Sequence, residues 1–206
     1  MLRVWGRRNS INVQKVMWCA AELSLPVEHI EVGGAFGGLD TPEYGALNPN
    51  RRVPVIEDGD FVLWESNAIV RYLSRTYGAR TLSPEHIQAQ ALADQWMDWV
   101  VSTVMPPMTP VFWNLVRHAP EDRDPQAIAE GVAACRSALA ILDARLADRP
   151  FVLGEAFTMA DIPLGAAAYR WFALDVEHGT APNLAAYYKR LSTRPAFQEH
   201  VMIPLT

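Results

Sequence analysis

The stretch "NRRVPVIEDGDFVLWESNAIVRYL", residues 50–73, sets a proline between two valines and ends an apolar run abruptly in Glu65, Ser66 and Asn67. Proline cannot donate to a sheet ladder, so Pro54 belongs at a strand start, an edge or a special turn. The backbone of Val53 is then left for something else. Glu65 and Ser66 fall where a strand gives way to a helix. There a serine hydroxyl and the first free N–H groups can accept a carboxylate, aided by the helix dipole, while the Glu65 carboxylate can pair with an ammonium. Simple capping of the helix is the other reading of the pair. A second junction of this kind lies at "RRNSINVQKV", where Ser10 precedes a helical pattern and Asn12 adds an amide one turn in. Arg51 and Arg52 precede Val53, each of them as readily a solvated loop charge as a ligand contact.

Other chemistries lack their residues. Cys19 and Cys135 stand far apart without a CxxC, and the histidines at 29, 86, 118, 178 and 200 form no HxxxH pair, so neither a disulfide framework nor a metal site is expected. Cys19 falls two turns into a helical pattern and reads as a packing residue. The glycines of "GGAFGG" lack both GxGxxG spacing and a following Gly-Lys-Ser/Thr, which leaves a mobile loop rather than a phosphate cradle. With 18 Lys and Arg against 23 Asp and Glu, the chain carries a net charge of −5 and no basic block, so nucleic acid is not an expected partner. The N-terminus lacks the apolar core of a signal peptide, and no apolar run approaches the roughly 20 residues of a membrane span. A soluble, cytoplasmic protein is expected.

The elements that must position these residues change character near residue 80. "LRVW" reads as a strand and Gly6 to Asn9 as a turn. A helix follows from Ile11, capped by Ser10 and closed by Pro26. "VEHIEV" alternates as a strand, Thr41-Pro42 opens a short helix, and "VPVIE" and "FVLW" form a hairpin through Asp58-Gly59. "ESNAIVRYLSRTYG" is a helix ending at Gly78. The order is β-α-β-α-β-β-α. Strand signals then vanish. A helix starting at Pro84 buries Ile87, Leu92, Trp96, Trp99 and Val100, and Pro106, Pro107 and Pro110 should kink or break it. A second long helix covers 125–147, a third follows "TMAD", and two shorter ones end the chain. Thr158 and Asp161 have the spacing of a capping box, with a folding role.

An α/β unit with a proline opening its third strand, followed by an all-helical domain, resembles the glutathione transferase family over essentially the whole chain. Three motifs carry the resemblance: "NPNRRVPVIEDG", "ESNAIVRYL" and "FTMADI". It implies an α/β thioredoxin-like N-terminal domain (1–79), a linker (80–85) and an all-α C-terminal domain (86–206). It implies a cis bond before Pro54, which turns the Val53 backbone outward to pair with glutathione as if adding a strand. Glu65 and Ser66 would take the zwitterionic γ-glutamyl end and Arg52, or Arg51, the glycyl carboxylate. Ser10 matches the activating serine of serine-type members, and Ser10-Ile11-Asn12 is similar to a Thr-x-Asn pattern of bacterial relatives, with the Asn12 amide donating to sulfur.

The implied reaction is attack of the glutathione thiolate on a small hydrophobic electrophile, bound between the domains against residues 100–118 and in reach of Trp171 and Phe172. Glutathione-dependent disulfide or peroxide reduction and a non-enzymatic binding module remain as alternatives. The maleylacetoacetate isomerase branch fits less well, since its Ser-Ser-Cys motif reads Ser-Ile-Asn here. A homodimer is implied, with Trp64 and the 87–101 helix at its interface.

Overall fold

The computed structural model describes all 206 residues. Four strands, β1 (Leu2–Trp5), β2 (Val27–Ile30), β3 (Val55–Asp58) and β4 (Phe61–Trp64), form one sheet in the order β2-β1-β3-β4. β1 runs parallel to β2, with Leu2 opposite Val27, and antiparallel to β3, with Trp5 opposite Val55. Strand alternation sorts side chains to two faces. Leu2, Val4 and Ile56 join the main core with Val16 and Ala20 of helix α1 (Ile11–Glu22) and Ile69, Val70 and Leu73 of α3 (Ser66–Tyr77). Val32 and Val55 pack on the other face with Tyr44 of α2 (Pro42–Leu47), and Trp5 and Trp64 lie against them. Thr41 caps α2, its hydroxyl accepting the Tyr44 N–H at 3.2 Å.

The helical part comprises α4 (Ile87–Trp99), α5 (Met105–Phe112), α6 (Pro125–Arg145), α7 (Asp161–Ala173), α8 (Pro182–Leu191) and α9 (Pro195–His200). It shares one core with the sheet domain. Trp18 of α1 stacks against Phe157 and Phe197 at 5.5 and 4.7 Å between ring centroids, and Glu22 holds Arg194 through two bonds of 2.8 and 2.6 Å. This close approach needs a glycine at Gly165 of α7, where a Cβ would come within 2.8 Å of the Trp18 ring.

Several expectations are corrected. β3 begins at Val55 rather than at Val53, because the ladder begins with the first residue that can donate, and Pro54 stands at the strand start as expected. β2 stops at Ile30, and the hairpin loop is Gly59-Asp60 with Gly59 at φ 62°. The glycine run contains a short 3₁₀ turn, Gly34–Phe36. α4 starts at Ile87, not Pro84, and buries Ala93, Trp96 and Met97 while Ile87 and Leu92 face outward at 77% and 46% exposure. The prolines do not break the helical path. A π-helical turn, Val100–Val104, leads into α5, where Pro106 and Pro107 occupy the first turn and their missing N–H groups cost least. The Thr109 hydroxyl donates to the Met105 carbonyl at 2.8 Å and the Asn114 amide to that of Pro110 at 2.9 Å, supporting the ladder around Pro110.

The Thr158–Asp161 pair is only half a capping box. Asp161 accepts the Thr158 N–H at 2.9 Å, but the Thr158 hydroxyl donates to the same carboxylate at 3.2 Å instead of accepting the Asp161 N–H. The other carboxylate oxygen receives the Val152 N–H and the Tyr187 hydroxyl, both at 3.0 Å. Fully buried, Asp161 ties the start of α7 to a preceding loop and to α8.

Candidate active site

Ser10 sits at the N-cap of α1 in extended conformation (φ −84°, ψ 121°), its N–H held by the Arg7 carbonyl at 3.1 Å. The expectation that its side chain caps the helix is not met: the carbonyl of Ser10 accepts the Gln14 N–H, but the hydroxyl makes no capping bond. The first-turn N–H groups, left uncapped, present a positive edge to whatever lies before the helix, and the Ser10 hydroxyl stands beside them free to donate.

Ser10, Asn12, Arg52 and Val53 line one cleft of about 380 Å³ between the sheet and helical domains. The Val53–Pro54 bond is cis. The residue before it is fixed from behind, since the Arg52 carbonyl accepts the Tyr44 hydroxyl and the Asn48 amide, each at 2.8 Å. The two arginines separate here. Arg51, at φ 53°, spends its guanidinium on the carbonyls of Leu39 and Thr41 at 2.8 and 3.1 Å. Arg52 is exposed and makes no side-chain bond within the chain, so it is the one free for a ligand.

Glu65 and Ser66 stand beside this cleft rather than in its wall. Glu65 is exposed at φ 71°, a sparsely populated conformation for a side-chain-bearing residue of the kind found at ligand sites. Ser66 opens α3 and is buried, its hydroxyl donating to the Asn12 side-chain oxygen at 3.2 Å. Sequence reasoning missed the residue that joins these corners. Lys15, 2% exposed, reaches the same Asn12 oxygen at 3.0 Å and the Ser66 hydroxyl at 3.5 Å. Burial, and then the charge of Arg170, push its ammonium down to about 8, with Glu65 pulling the other way. With the Asn12 oxygen turned toward Lys15 and Ser66, its amide N–H₂ is left to donate elsewhere. A lysine one turn after Asn12, between Val13 and Val16 on the buried side of α1, was the available signal.

The far wall comes from the helical domain: Met105, Thr109, Phe112 and Trp113, within the expected 100–118 stretch, together with Arg117 and Arg170. Trp171 and Phe172 do not contribute. Trp171 is buried against His178, and Phe172 stacks on Tyr188. Burial pushes the Cys19 thiol up to about 12 and the Cys135 thiol up to about 11, so both are packing residues rather than nucleophiles. No cluster of three or more His, Cys, Asp or Glu side chains is placed to hold a metal.

Residues 1–75 match the family model "Glutathione S-transferase, N-terminal domain", and residues 125–190 match "Glutathione S-transferase, C-terminal domain". The chain is 39% identical to glutathione S-transferase GstB of Escherichia coli, each covering 100% of the other. It is 27% identical to glutathione S-transferase 4 of Zea mays, over 95% of this chain and 89% of that one. Among solved structures, the theta class glutathione S-transferase from Xanthomonas axonopodis pv. citri with glutathione bound superimposes with a TM-score of 0.96, at 49% identity over 100% of this chain and 99% of that one.

Proposed function

The chain belongs to the glutathione S-transferase family, and we propose that it activates the glutathione thiol at Ser10 for attack on an electrophile held between the two domains. The observation that carries this reading is an uncapped serine hydroxyl at a helix N-terminus, on the same cleft as the Val53 backbone. In this reading the Val53 N–H and C=O pair with the cysteinyl residue of glutathione as an added strand. Arg52 meets the glycyl carboxylate. At the other end the first N–H groups of α3 donate to the γ-glutamyl carboxylate, the Ser66 hydroxyl turning from Asn12 to join them, and Glu65 takes the ammonium. These placements set the sulfur before α1.

A free cysteine thiol titrates near about 8.5, so little of it is thiolate at neutral pH. The Ser10 hydroxyl and the Asn12 amide donate to the sulfur anion, and the helix end adds its dipole; each unit of depression needs about 1.4 kcal/mol. Lys15 positions the Asn12 amide for this. The thiol proton leaves to solvent, the sulfur–carbon bond forms, and the leaving group departs with its electron pair. Reduction and passive binding lack a supporting feature of their own, whereas Ser10, Val53, Glu65 and Ser66 fit transfer.

Saturating glutathione tests the binding half of this reading. At about 100 times Kd the ligand adds roughly 2.7 kcal/mol, which in a chain of this size raises Tm by about 5–10 °C. A thermal midpoint indifferent to glutathione contradicts it.

The reading includes a homodimer. Phe61 and Val62 on the edge strand β4 and Ile87, Leu92 and Val101 along the α4 side are exposed by 37–77% in the single chain. Such residues mark an interaction surface when they are contiguous. Trp64 is half-buried against Val55 and Tyr44 and contributes its remaining face. Light scattering should give twice the mass of 23.0 kDa, and a monomer at micromolar concentration contradicts the assignment. No helix is long and apolar enough to cross a membrane. As part of the same proposal the enzyme works in the cytoplasm, in detoxification; cell fractionation checks the location.

A further inference from the structure

Five arginines, Arg7, Arg51, Arg52, Arg117 and Arg170, line the cleft, and no aspartate or glutamate does. That concentration of one sign is unusual in a chain whose net charge is −5. Arg51 is spent on the backbone carbonyls described above, and Arg52 is assigned to the glycyl carboxylate. The side chains of the other three form no hydrogen bond or ion pair within the chain. Arg170 is the sharpest case: it is only 7% exposed, and its Nε is buried without a partner. Its guanidinium lies 4.0 Å from the Phe112 ring centroid, with that of Arg117 at 5.6 Å. A ring face attracts a cation but accepts few of its five N–H donors. Burying a charge without a counter-charge is costly, and buried polar groups are as a rule hydrogen-bonded.

We propose that the second substrate of this enzyme is an anionic electrophile, bearing a carboxylate or a group of like charge and geometry, whose negative end is received by Arg170 with Arg7 and Arg117. The proposal rests on the transferase reading and makes the electrophile amphipathic, where the family resemblance implied a small hydrophobic one. The apolar body lies along Met105, Phe112 and Trp113, and the anion lies against the guanidinium groups, whose planar donors match a carboxylate in bidentate fashion. Glutathione's own carboxylates are accounted for at the opposite, sheet-domain side of the cleft, whereas Arg117 and Arg170 enter from the helical domain. The cations also disfavour one another. Burial, then Arg117 and Arg7, lower Arg170 to about 10, and burial, then Arg117, lower Arg7. An anion relieves that repulsion, and the field of the cleft steers it in.

The test uses two glutathione conjugates that differ only in charge, S-(para-carboxybenzyl)glutathione and S-(para-carbamoylbenzyl)glutathione, titrated calorimetrically into the intact enzyme. The carboxylate conjugate should bind at least about tenfold more tightly, the scale of a hydrogen bond to a charged group. Its advantage should shrink as salt is raised. In Arg170→Met, and in Arg117→Gln should the first variant fail to fold, the ratio of the two affinities should fall toward one. Equal binding of both conjugates to the wild type overturns the inference, as does a ratio left intact in the variants, or an equal loss for both conjugates, which would assign the arginines to the sulfur or to the fold. If neither conjugate binds and glutathione leaves Tm unmoved, it is the transferase reading that fails. If neither binds while glutathione raises Tm, the anion site alone is refuted.

Discussion

Ser10→Ala should lower kcat/KM for glutathione conjugation by about ten- to a hundredfold while leaving the glutathione-induced rise in Tm nearly intact. Removing one donor from a developing or resident anion costs on the order of a hundred- to a thousandfold where the anion is a small oxyanion. A sulfur anion is larger and its hydrogen bonds weaker, and here the α1 dipole and the Asn12 amide remain, so the lower range is expected. Binding should survive because the groups assigned to the peptide, at Arg52, Val53, Glu65 and Ser66, are untouched. Steady-state kinetics beside thermal shift separate the two effects. Asn12→Ala, measured alongside, apportions the sulfur contact: a wild-type rate in Ser10→Ala with a large loss in Asn12→Ala would transfer the role to the amide.

The largest effect on stability should come from Asp161→Ala. Two backbone N–H groups, those of Val152 and Thr158, and the hydroxyls of Thr158 and Tyr187 all donate to this one buried carboxylate. Truncation orphans them inside the core, at about 1–3 kcal/mol for each donor left unsatisfied. The two hydroxyls can turn to other acceptors while the two N–H groups cannot, so a total of roughly 3–5 kcal/mol is expected, which lowers Tm by on the order of 10 °C. The loss exceeds that of an ordinary helix cap, about 1 kcal/mol, because the contact joins three segments rather than closing one helix end. Burial raises the Asp161 carboxyl to about 6, against the pull of its donors. The unfolded group titrates near about 3.9, so between these values the native chain holds the extra proton and this contribution to stability falls as pH rises. The gap between wild type and Asp161→Ala should therefore narrow from pH 4 to pH 7. A gap of less than about 1 kcal/mol at every pH would mean that Asp161 is no more than a cap.

Much of the sheet domain was legible because its signals are local. Thr41-Pro42 opens α2 as expected, Ser66–Tyr77 is the helix read from "ESNAIVRYLSRTYG", and a proline without a donor had to stand outside the β3 ladder. The helical domain was readable in its long periodic runs, such as Pro125–Arg145, but not where irregular turns absorb prolines. Whether Pro106 and Pro107 break a helix depends on how the turn before them is wound, which composition does not specify. Ile87 and Leu92 were assigned inward because apolar spacing marks a face without saying what covers it.

The site divides the same way. Ser10, Val53, Pro54, Glu65 and Ser66 stand at element junctions that a sequence announces, whereas Lys15 and Arg170 do not. The place of Lys15 between Val13 and Val16 hints at burial, but only tertiary packing gives it Asn12 and Ser66 as partners. Arg170 lies 160 positions from Ser10 and meets the cleft only because α7 packs against α1. No local pattern encodes that approach.

A sulfur anion held at the tip of α1 is read directly by titration of the bound thiol. The ultraviolet absorbance of the thiolate, followed against pH with enzyme and glutathione together, should give a midpoint at least about one unit below that of a free thiol near 8.5. Ser10→Ala should move that midpoint back toward the free value. A wild-type complex whose thiol titrates where free glutathione does would mean that the tip of α1 holds no stabilised thiolate.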